Sequence, residues 1–356
     1  MQYGKITIYD IAREAGVSAA TVSRVLSESR GVSEKTAKKV RRVIDKYSFK
    51  PSSVARGLYR RTSHTIGIIM PGIENPYFAT MFTTAYQEAH LNGYATLMYR
   101  TSQTEKLDTA FASQLIERRL DGVLILGGAL ELPDYQEHAA PALNLLQKHM
   151  PLVTICPPIP GVECINFHSN LKASVRQSVH HLFALGHKRI AFLGGSTGNR
   201  SASVREQGFL EIMEGLGLAA AYNYETGHTP EAGELGIAKL LAALPRDSWP
   251  TAVVTINDLV ALGAIRQIKR MGLHIPEDMA VIGCDNQFFS PYTDPPLTTV
   301  DNHPADMCRL AMNQLLAIMA DEAHDRPFTQ VRESTLIVRE SCGAQLGRRD
   351  FEEQVE

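Results

Sequence analysis

Apolar residues recur every three or four positions along the first fifty residues, which is the spacing of an amphipathic helix. Two such faces follow one another, formed by Ile8, Ile11, Ala12 and Ala15 and then by Val22, Val25 and Leu26. Between them, Gly16 accepts the left-handed backbone that ends a helix, and Ser18 can cap the next one. A third face, with Ser33 as its cap, contains Val40, Val43 and Ile44. The pattern predicts three short helices over residues 1–50.

After Thr65 the pattern changes to short β-branched runs that alternate with amphipathic segments. The predicted strands are "TIGIIM", "YATLMY", "GVLILG", "PLVTIC", "CINFH", "RIAFLGG", "TAVVTI" and "MAVIGCD". The predicted helices between them are Pro76–Asn92, Glu105–Arg119, Asn170–Leu185, Ser203–Leu216 and Asp258–Met271. Repeated βαβ units indicate an α/β fold, in which parallel sheets carry helices on both faces. The two series of units predict two lobes, approximately 64–161 and 162–291, with the remaining segments of a body at 64–345 crossing between them.

Charge is divided unevenly along the 356 residues. The first 61 residues hold 14 Lys and Arg against 5 Asp and Glu, a net charge of +9, whereas the remainder holds 22 against 33, a net charge of −11. A basic segment attached to an acidic body is typical of a polyanion-binding module joined to a domain with another task. A solvated basic surface is the alternative.

The other bulk features narrow the class of protein. The five cysteines, Cys156, Cys164, Cys284, Cys308 and Cys342, form no CxxC pair and have no histidine at metal-finger spacing. They are interpreted as buried thiols in a reducing compartment, and neither a metal nor a cofactor is expected. The N-terminus has no apolar signal core, and no apolar run reaches 18 residues. We therefore expect a cytoplasmic protein without a membrane partner.

A small residue at Ala12, a turn glycine four residues later at Gly16, and apolar Val17, Val22 and Val25 match the pattern of a helix-turn-helix. The small side chain of Ala12 lets the first two helices cross closely. In such a unit, the N-terminal end of the second helix enters the major groove of DNA. The expected base contacts are Ala19, Ala20 and Arg24, of which the arginine can bond bidentately to a guanine edge. The expected phosphate contacts are Ser18, Thr21, Ser23 and Lys35. A plain three-helix bundle with a glycine turn is the alternative.

These motifs together resemble the lactose/galactose repressor (LacI/GalR) family of bacterial transcriptional regulators. The resemblance begins with "TIYDIAREAGVSAATVSRVL" and continues through "TIGIIMPGIENPYF", "LGHKRIAFLGG", "REQGF", "PTAVVTINDLVALGAI" and "PPLTTV", in order, over nearly the whole chain. It implies a helix-turn-helix headpiece at 1–50 and a two-lobed body like that of periplasmic sugar-binding proteins. It also implies a homodimer on a near-palindromic operator. The tail, 346–356, is polar and shows no leucine heptad, so a tetramer is not expected.

The resemblance also explains "PSSVARGLYRR", residues 51–61, which is too short to be a stable helix alone. Residues 51–63 are expected to form a hinge helix when two copies meet on the operator. Leu58 resembles the family's leucine that wedges into the minor groove, and Ala55 and Arg56 are the expected neighbouring contacts.

Effector residues are expected in the loops after strands, where ligands of α/β folds bind. Phe78 resembles the family's stacking aromatic, Arg205 its charged contact, Asn257 and Asp258 its polar pair, and Asp285 its acid. The loops add Asn75 and Phe288. Capping of the following helix is the alternative for Asn75, Asn257 and Asp258. Arg100 replaces a residue that the family usually has as asparagine, and either forms a surface ion pair or brings positive charge to the cleft.

The most direct interpretation is a repressor controlled by a sugar or sugar derivative. The alternatives are a purine-type corepressor-dependent repressor and a solute receptor without DNA function. An enzyme is not expected, because "GGSTGN" lacks the Lys-Ser/Thr of a phosphate-binding loop and is interpreted as a loop that lines the cleft. Whether the effector releases the operator or strengthens its binding is left open by the sequence.

Overall fold

A computed structural model gives the fold of the chain. It describes residues 6–26, 31–47, 49, 62–101, 106–131, 135–194, 199–219, 223–224, 226–324 and 326–345. The chain divides into two compact units, Met1–Ser63 and His64–Glu356. The hinge residues Ala55, Arg56 and Leu58 and the polar tail lie outside the described residues. Within the described part of the chain, no helix is both long and apolar enough to cross a membrane.

The first unit contains three helices, α1 (Ile8–Ala15), α2 (Ala19–Leu26) and α3 (Glu34–Lys46). Gly16 ends α1 with φ 59°, and Ser33 caps α3 by accepting a hydrogen bond from the Thr36 amide. The sequence analysis did not identify the cap at the start of α1, where Thr7 and Asp10 cap each other's backbone in a capping box. The small core of this unit consists of Ile11, Ala12, Ala15, Val22, Val25 and Val40.

The first lobe of the body is built on a six-stranded sheet in the order β11-β5-β4-β3-β1-β2, with every strand parallel to its neighbours. Its strands are β1 (Thr65–Met70), β2 (Ala95–Arg100), β3 (Gly122–Ile125), β4 (Leu152–Ile155), β5 (Ile165–Ser169) and β11 (Thr329–Arg332). Its helices are α4 (Pro76–Leu91), α5 (Thr109–Glu117), α6 (Tyr135–Gln147) and α11 (Pro304–Met319). Two apolar clusters pack around the sheet, so that its central strands are buried.

The second lobe has a six-stranded sheet in the order β12-β10-β9-β8-β6-β7. Its strands are β6 (Ile190–Leu193), β7 (Asn223–Tyr224), β8 (Ala252–Thr255), β9 (Ala280–Cys284), β10 (Thr298–Asp301) and β12 (Thr335–Ile337). Its helices are α7 (Leu171–Ala184), α8 (Arg200–Gly215), α9 (Pro230–Ala242) and α10 (Asp258–Arg270). The edge strand β12 pairs antiparallel with β10, so this sheet is mixed rather than fully parallel.

The chain crosses between the lobes three times, after β5, after β10 and after β11. Asn302 joins the three crossings. Its backbone carbonyl accepts a hydrogen bond from the Ser169 hydroxyl (3.0 Å), and its side-chain oxygen accepts one from the Ser334 hydroxyl (2.7 Å). The side chain is 1% exposed. The crossings are therefore held together by one buried amide.

The predicted α/β architecture is confirmed, and all eight predicted strands are present. The helix predicted over Glu105–Arg119 begins later, at Thr109, because Asp108 caps it by accepting a hydrogen bond from the Phe111 amide (2.8 Å). The sequence analysis missed α6, α9 and α11 and the four strands β7, β10, β11 and β12.

Candidate functional site

The predicted reading helix α2 begins at a cap that Ser18 provides. Its hydroxyl accepts a hydrogen bond from the Thr21 amide (3.2 Å) and lies 2.9 Å from the Thr21 hydroxyl. Ala20 and Arg24 are exposed on this helix, whereas Ala19 packs partly against the apolar cluster of the headpiece. The exposed methyl and guanidinium therefore offer the widest contact to a base edge, and Ala19 offers less than we expected.

Three further predicted DNA contacts have positions in the structure. Ser23 and Thr21 are half-buried on α2, and Lys35 is exposed in the first turn of α3. A hydroxyl that already caps its own helix keeps a free lone pair, so the arrangement at Ser18 and Thr21 is compatible with a phosphate contact.

A cavity of about 540 Å³ lies between the two lobes of the body. Most of its wall comes from residues at or after the carboxyl ends of β1 to β6, β8 and β9. This is the position that α/β folds use for ligands. Of the seven predicted effector residues, five line the cavity: Asn75, Phe78, Arg205, Asn257 and Asp285.

The aromatic wall of the cavity comes from the first turn of α4. Asn75 caps this helix by accepting a hydrogen bond from the Tyr77 amide (3.0 Å), and Pro76 occupies the first helical position. The rings of Tyr77 and Phe78 meet edge to face, with centroids 5.4 Å apart. The capping alternative for Asn75 is thus correct, and the same turn brings two aromatic rings to the cavity.

Arg205 brings a positive charge to the cavity from α8. Its Nε–H is buried and has no hydrogen-bond partner among the described residues. Burial disfavours the guanidinium, but Cys284, Asp285, Tyr77 and Glu131 together shift the pKa of Arg205 upward. A buried N–H without a partner costs about 1–3 kcal/mol. A ligand with an acceptor atom at this position would remove that cost.

Asp285 places its carboxylate in the cavity from the loop after β9. Its backbone has φ 106°, its side chain is 8% exposed, and one carboxylate oxygen accepts a hydrogen bond from the Asn302 amide (3.1 Å). Burial raises the pKa of this carboxyl to about 7, although Arg205 acts in the opposite direction. The effector cavity is therefore connected, through Asn302, to the crossings between the lobes.

Asn257 and His228 form a neighbouring part of the wall. Asn257 caps α10 through the Val260 amide (2.8 Å), and its side-chain nitrogen donates to the His228 carbonyl (3.2 Å). Burial, and to a lesser degree Arg205, lower the pKa of His228. The imidazole is therefore neutral at physiological pH and can both donate and accept a hydrogen bond.

Asp258 does not line the cavity, which corrects the expectation from the sequence. Its carboxylate is 0% exposed and accepts three hydrogen bonds, from the Gln287 amide (2.7 Å), the Ser290 hydroxyl (2.6 Å) and the Thr299 hydroxyl (2.6 Å). The carboxylate lies above Gly283, where a Cβ atom would approach it to 2.2 Å. Asp258 thus ties the start of α10 to the segments after β9 and into β10.

Phe288 is also not a cavity residue. Its ring is 76% exposed and stacks edge to face on Phe289, with centroids 5.6 Å apart. The loop after β9 turns at Asp285 and Asn286, which both have positive φ, and carries the following aromatic outward. The expectation that Phe288 contacts the effector is therefore corrected, and the aromatic wall consists of Tyr77 and Phe78.

Several cavity residues were missed by the sequence analysis. The most informative are Glu131, which ends a 3-10 turn over Gly128–Glu131, and Ser201, Cys156, His168 and His228. Glu131, Cys156 and His168 lie at or just after the ends of β3, β4 and β5, so the rule that located Asp285 applies to them too. Arg100 lines the cavity and pairs with Glu74 (3.3 Å), so both interpretations of this residue are correct.

The described residues contain no group of three or more His, Cys, Asp or Glu side chains that could hold a metal ion. The fold consists of a helix-turn-helix unit and a two-lobed body that has a polar cavity between its lobes. This combination defines the class of DNA-binding regulators that carry a ligand-binding body.

Comparisons with known proteins agree with this class. A family model described as "Bacterial regulatory proteins, lacI family" matches residues 7–52, and a "Periplasmic binding protein-like domain" model matches residues 179–342. The transcriptional repressor PurR of Pasteurella multocida is 31% identical over 96% of this chain and 99% of its own. The repressor CytR of Escherichia coli K12 is 31% identical over 95% and 96%. The chain belongs to the LacI family.

Solved structures show the same fold. The lac repressor dimer bound to operator and the anti-inducer ONPF has a TM-score of 0.82 and 24% identity, over 95% of this chain and 99% of that chain. A complex of the regulator CelR with cellobiose has a TM-score of 0.68 and 25% identity, over 94% and 99%. As a member of this family, the protein is a DNA-binding transcriptional regulator with an effector-binding body.

Proposed function

We propose that this protein is a repressor that binds a near-palindromic operator as a homodimer and responds to a sugar-like effector in the interlobe cavity. The observation that carries the effector assignment is the buried Arg205 Nε–H, which has no partner among the described residues and lies in a cavity that Asp285 also lines. A ligand with both acceptors and hydroxyl donors satisfies the two groups together.

A sugar or sugar derivative fits this combination because each hydroxyl both donates and accepts. Asp285 and Glu131 accept hydrogen bonds, Arg205 and Asn257 donate them, and Phe78 offers a face for stacking. The structural relatives include one solved with cellobiose and one solved with ribose. A purine base or nucleoside is the second candidate, since the neutral His228 provides another flat ring and the curated relatives include PurR and CytR.

A thermal-shift screen of sugars, sugar phosphates, nucleosides and purine bases tests this assignment. A true effector at 100 times its Kd stabilises the folded protein by about 2.7 kcal/mol. We expect Arg205→Ala to weaken binding of the compound found by about ten- to a hundredfold, since hydrogen bonds to charged groups contribute about 1.5–3 kcal/mol. Titration calorimetry measures the loss. Unchanged affinity in Arg205→Ala would remove Arg205 from the site.

The compound found in the screen can also be used to determine whether the effector releases the operator or strengthens its binding. Added to the protein–operator complex, an inducer lowers operator affinity and a corepressor raises it. A coupling free energy of about 1–3 kcal/mol corresponds to a change of about 5- to 150-fold.

On the DNA side, we expect Arg24→Ala to lose discrimination between the operator and random DNA by about five- to 150-fold, the equivalent of 1–3 kcal/mol for one bidentate base contact. The operator is first selected from a random DNA library, and both affinities are then measured at one salt concentration. Arg13→Ala is the matched control, because it removes the same charge from exposed α1, where Arg13 pairs with Asp10 (3.2 Å). Equal loss of discrimination in both variants would rule out a base contact by Arg24.

The remaining assignments are part of the same proposal. The headpiece at 1–50 reads DNA, residues 51–63 act as the hinge with Ala55, Arg56 and Leu58 in the minor groove, and 64–345 form the effector-binding and dimerisation body. The protein acts in the cytoplasm, where operator DNA is found, and catalyses no reaction. A solute receptor without DNA function has no use for the basic headpiece, and a failure to bind DNA at any salt concentration would favour it.

A further inference from the structure

One contact between the lobes lies in the wall of the cavity itself. Glu131, from the first lobe, accepts two hydrogen bonds from Ser201 of the second lobe, one from its amide (2.9 Å) and one from its hydroxyl (2.7 Å). Ser201 lies in the first turn of α8, where amide groups have no partner within the helix and the helix dipole favours a negative charge. A carboxylate from one lobe therefore binds the N-terminus of a helix in the other.

The neighbouring residue strengthens this contact. One terminal nitrogen of Arg200 donates to the Leu130 carbonyl (3.2 Å), and the other donates to the Pro158 carbonyl (3.1 Å). Leu130 and Pro158 follow β3 and β4 of the first lobe. Two consecutive residues of α8 thus make four hydrogen bonds across the gap between the lobes.

These contacts lie along one side of the cavity. Glu131 and Ser201 line the cavity, together with Cys156 and Pro157. The covalent links between the lobes are the three crossings, and they remain whether the lobes are open or closed. The four hydrogen bonds are different, because rotation of one lobe away from the other must break them.

We propose that Glu131, Arg200 and Ser201 form an interlobe latch that limits how readily a small molecule reaches the side of the cavity formed by Cys156. The inference depends on the function proposed above only in naming that molecule an effector. Access to the cavity can be measured without one, so the latch and the effector assignment can fail separately.

The chain contains its own reporter of access. The Cys156 thiol lines the cavity and is 3% exposed, so in the closed state it should react slowly with iodoacetamide. Cys308 and Cys342 are each 0% exposed and do not line the cavity. They serve as internal controls, because they react only if the protein unfolds.

The charges near Cys156 make it possible to distinguish greater access to this thiol from a change in its intrinsic reactivity. Burial raises the pKa of Cys156, the charge of Glu131 raises it further, and Arg200 lowers it. Because the thiolate is the reactive form, removing Glu131 would speed alkylation even without opening, whereas removing Arg200 would slow it. A faster reaction in Arg200→Ala can therefore come only from greater access.

The experiment measures the alkylation rate of each cysteine in the full chain by peptide mass spectrometry, for the wild type, Arg200→Ala and Ser201→Ala. We expect Cys156 to react about tenfold faster in Arg200→Ala, which is about 1.4 kcal/mol, and a few times faster in Ser201→Ala, which removes one hydrogen bond. Glu211→Ala is the matched control, because Glu211 lies on the same helix but pairs with Lys172 within the second lobe (2.8 Å).

Two results would overturn the latch. Cys156 rates in Arg200→Ala and Ser201→Ala within twofold of the wild type would show that these bonds do not limit access. An equal increase in Glu211→Ala would show that any weakening of α8 has the same effect. If Cys308 and Cys342 also become reactive in Arg200→Ala, the milder Ser201→Ala variant decides, with the same twofold limit.

Discussion

Asp258→Ala is expected to lower the free energy of unfolding of the body by about 3 kcal/mol while Asp258→Asn leaves it unchanged or raises it. The alanine leaves three buried donors, on Gln287, Ser290 and Thr299, without their acceptor. Each unsatisfied donor costs about 1–3 kcal/mol, and the two hydroxyls recover part of that cost by turning toward other acceptors. Urea unfolding at neutral pH measures the difference.

The asparagine variant is informative because it keeps the hydrogen bonds and removes the charge. Its oxygen can accept from the Gln287 amide and the Ser290 hydroxyl, while its nitrogen donates to the Thr299 oxygen. Burial raises the pKa of Asp258 to about 6 despite these hydrogen bonds. The wild type therefore loses stability as the pH rises from about 4 to about 6, because the unfolded chain ionises first, and the neutral amide avoids this cost.

Asp258 also distinguishes a structural role from an effector role. Because its carboxylate is fully enclosed and lies outside the cavity wall, we expect Asp258→Asn to bind the effector as the wild type does. A folded Asp258→Asn protein with a tenfold loss of effector affinity would contradict the structure and restore the role that the sequence suggested.

The fold could be predicted where apolar runs are short, β-branched and bounded by capping residues. β1 and α4 are examples, since Asn75 and Pro76 mark the helix start. Two of the three missed helices have weaker signals. α6 contains Pro141 in its interior, and α9 contains Gly233 and Gly236, residues that reduce helix propensity. Tertiary packing, which a local pattern does not show, supports these helices.

The candidate site could be located by the rule that ligands bind at the carboxyl ends of strands, but the rule does not give the direction of each side chain. Asn257 and Asp258 are adjacent, yet the first faces the cavity and the second points away from the cavity wall, toward Gly283. Phe288 follows two residues with positive φ, which turn the chain outward. Glu131 and Ser201 are 70 residues apart, so only the packing of the two lobes brings them together.

Asp285→Asn is expected to weaken the effector response strongly and, at the same time, to stabilise the protein without effector at pH 8. The asparagine is nearly isosteric and tolerates the positive φ at this position. It removes the charge that would accept hydrogen bonds from the ligand, so effector affinity should fall by about ten- to a hundredfold.

The stability effect follows from the direction of the pKa shift. The folded protein raises the pKa of Asp285 from 3.8 to about 7, so the fold favours the protonated carboxyl. Stability is then lost as the pH rises from about 4 to about 7, because the unfolded chain ionises first, and the loss persists above pH 7. The neutral amide of the Asp285→Asn variant imitates the protonated acid, so the variant should exceed the wild type by at most about 4 kcal/mol at pH 8, at about 1.4 kcal/mol per pKa unit.

The measurement compares the two proteins in urea at pH 8 and pH 5. We expect the advantage of Asp285→Asn to shrink by more than half at pH 5, where the wild-type carboxyl is protonated in the folded state. Effector binding to the wild type should weaken over the same range, as the ionised acceptor disappears. An advantage that is independent of pH would mean that the charge of Asp285 is not the source of the difference. A variant that keeps its effector affinity would show that the carboxylate does not contact the ligand, and Arg205 would then have to hold it alone.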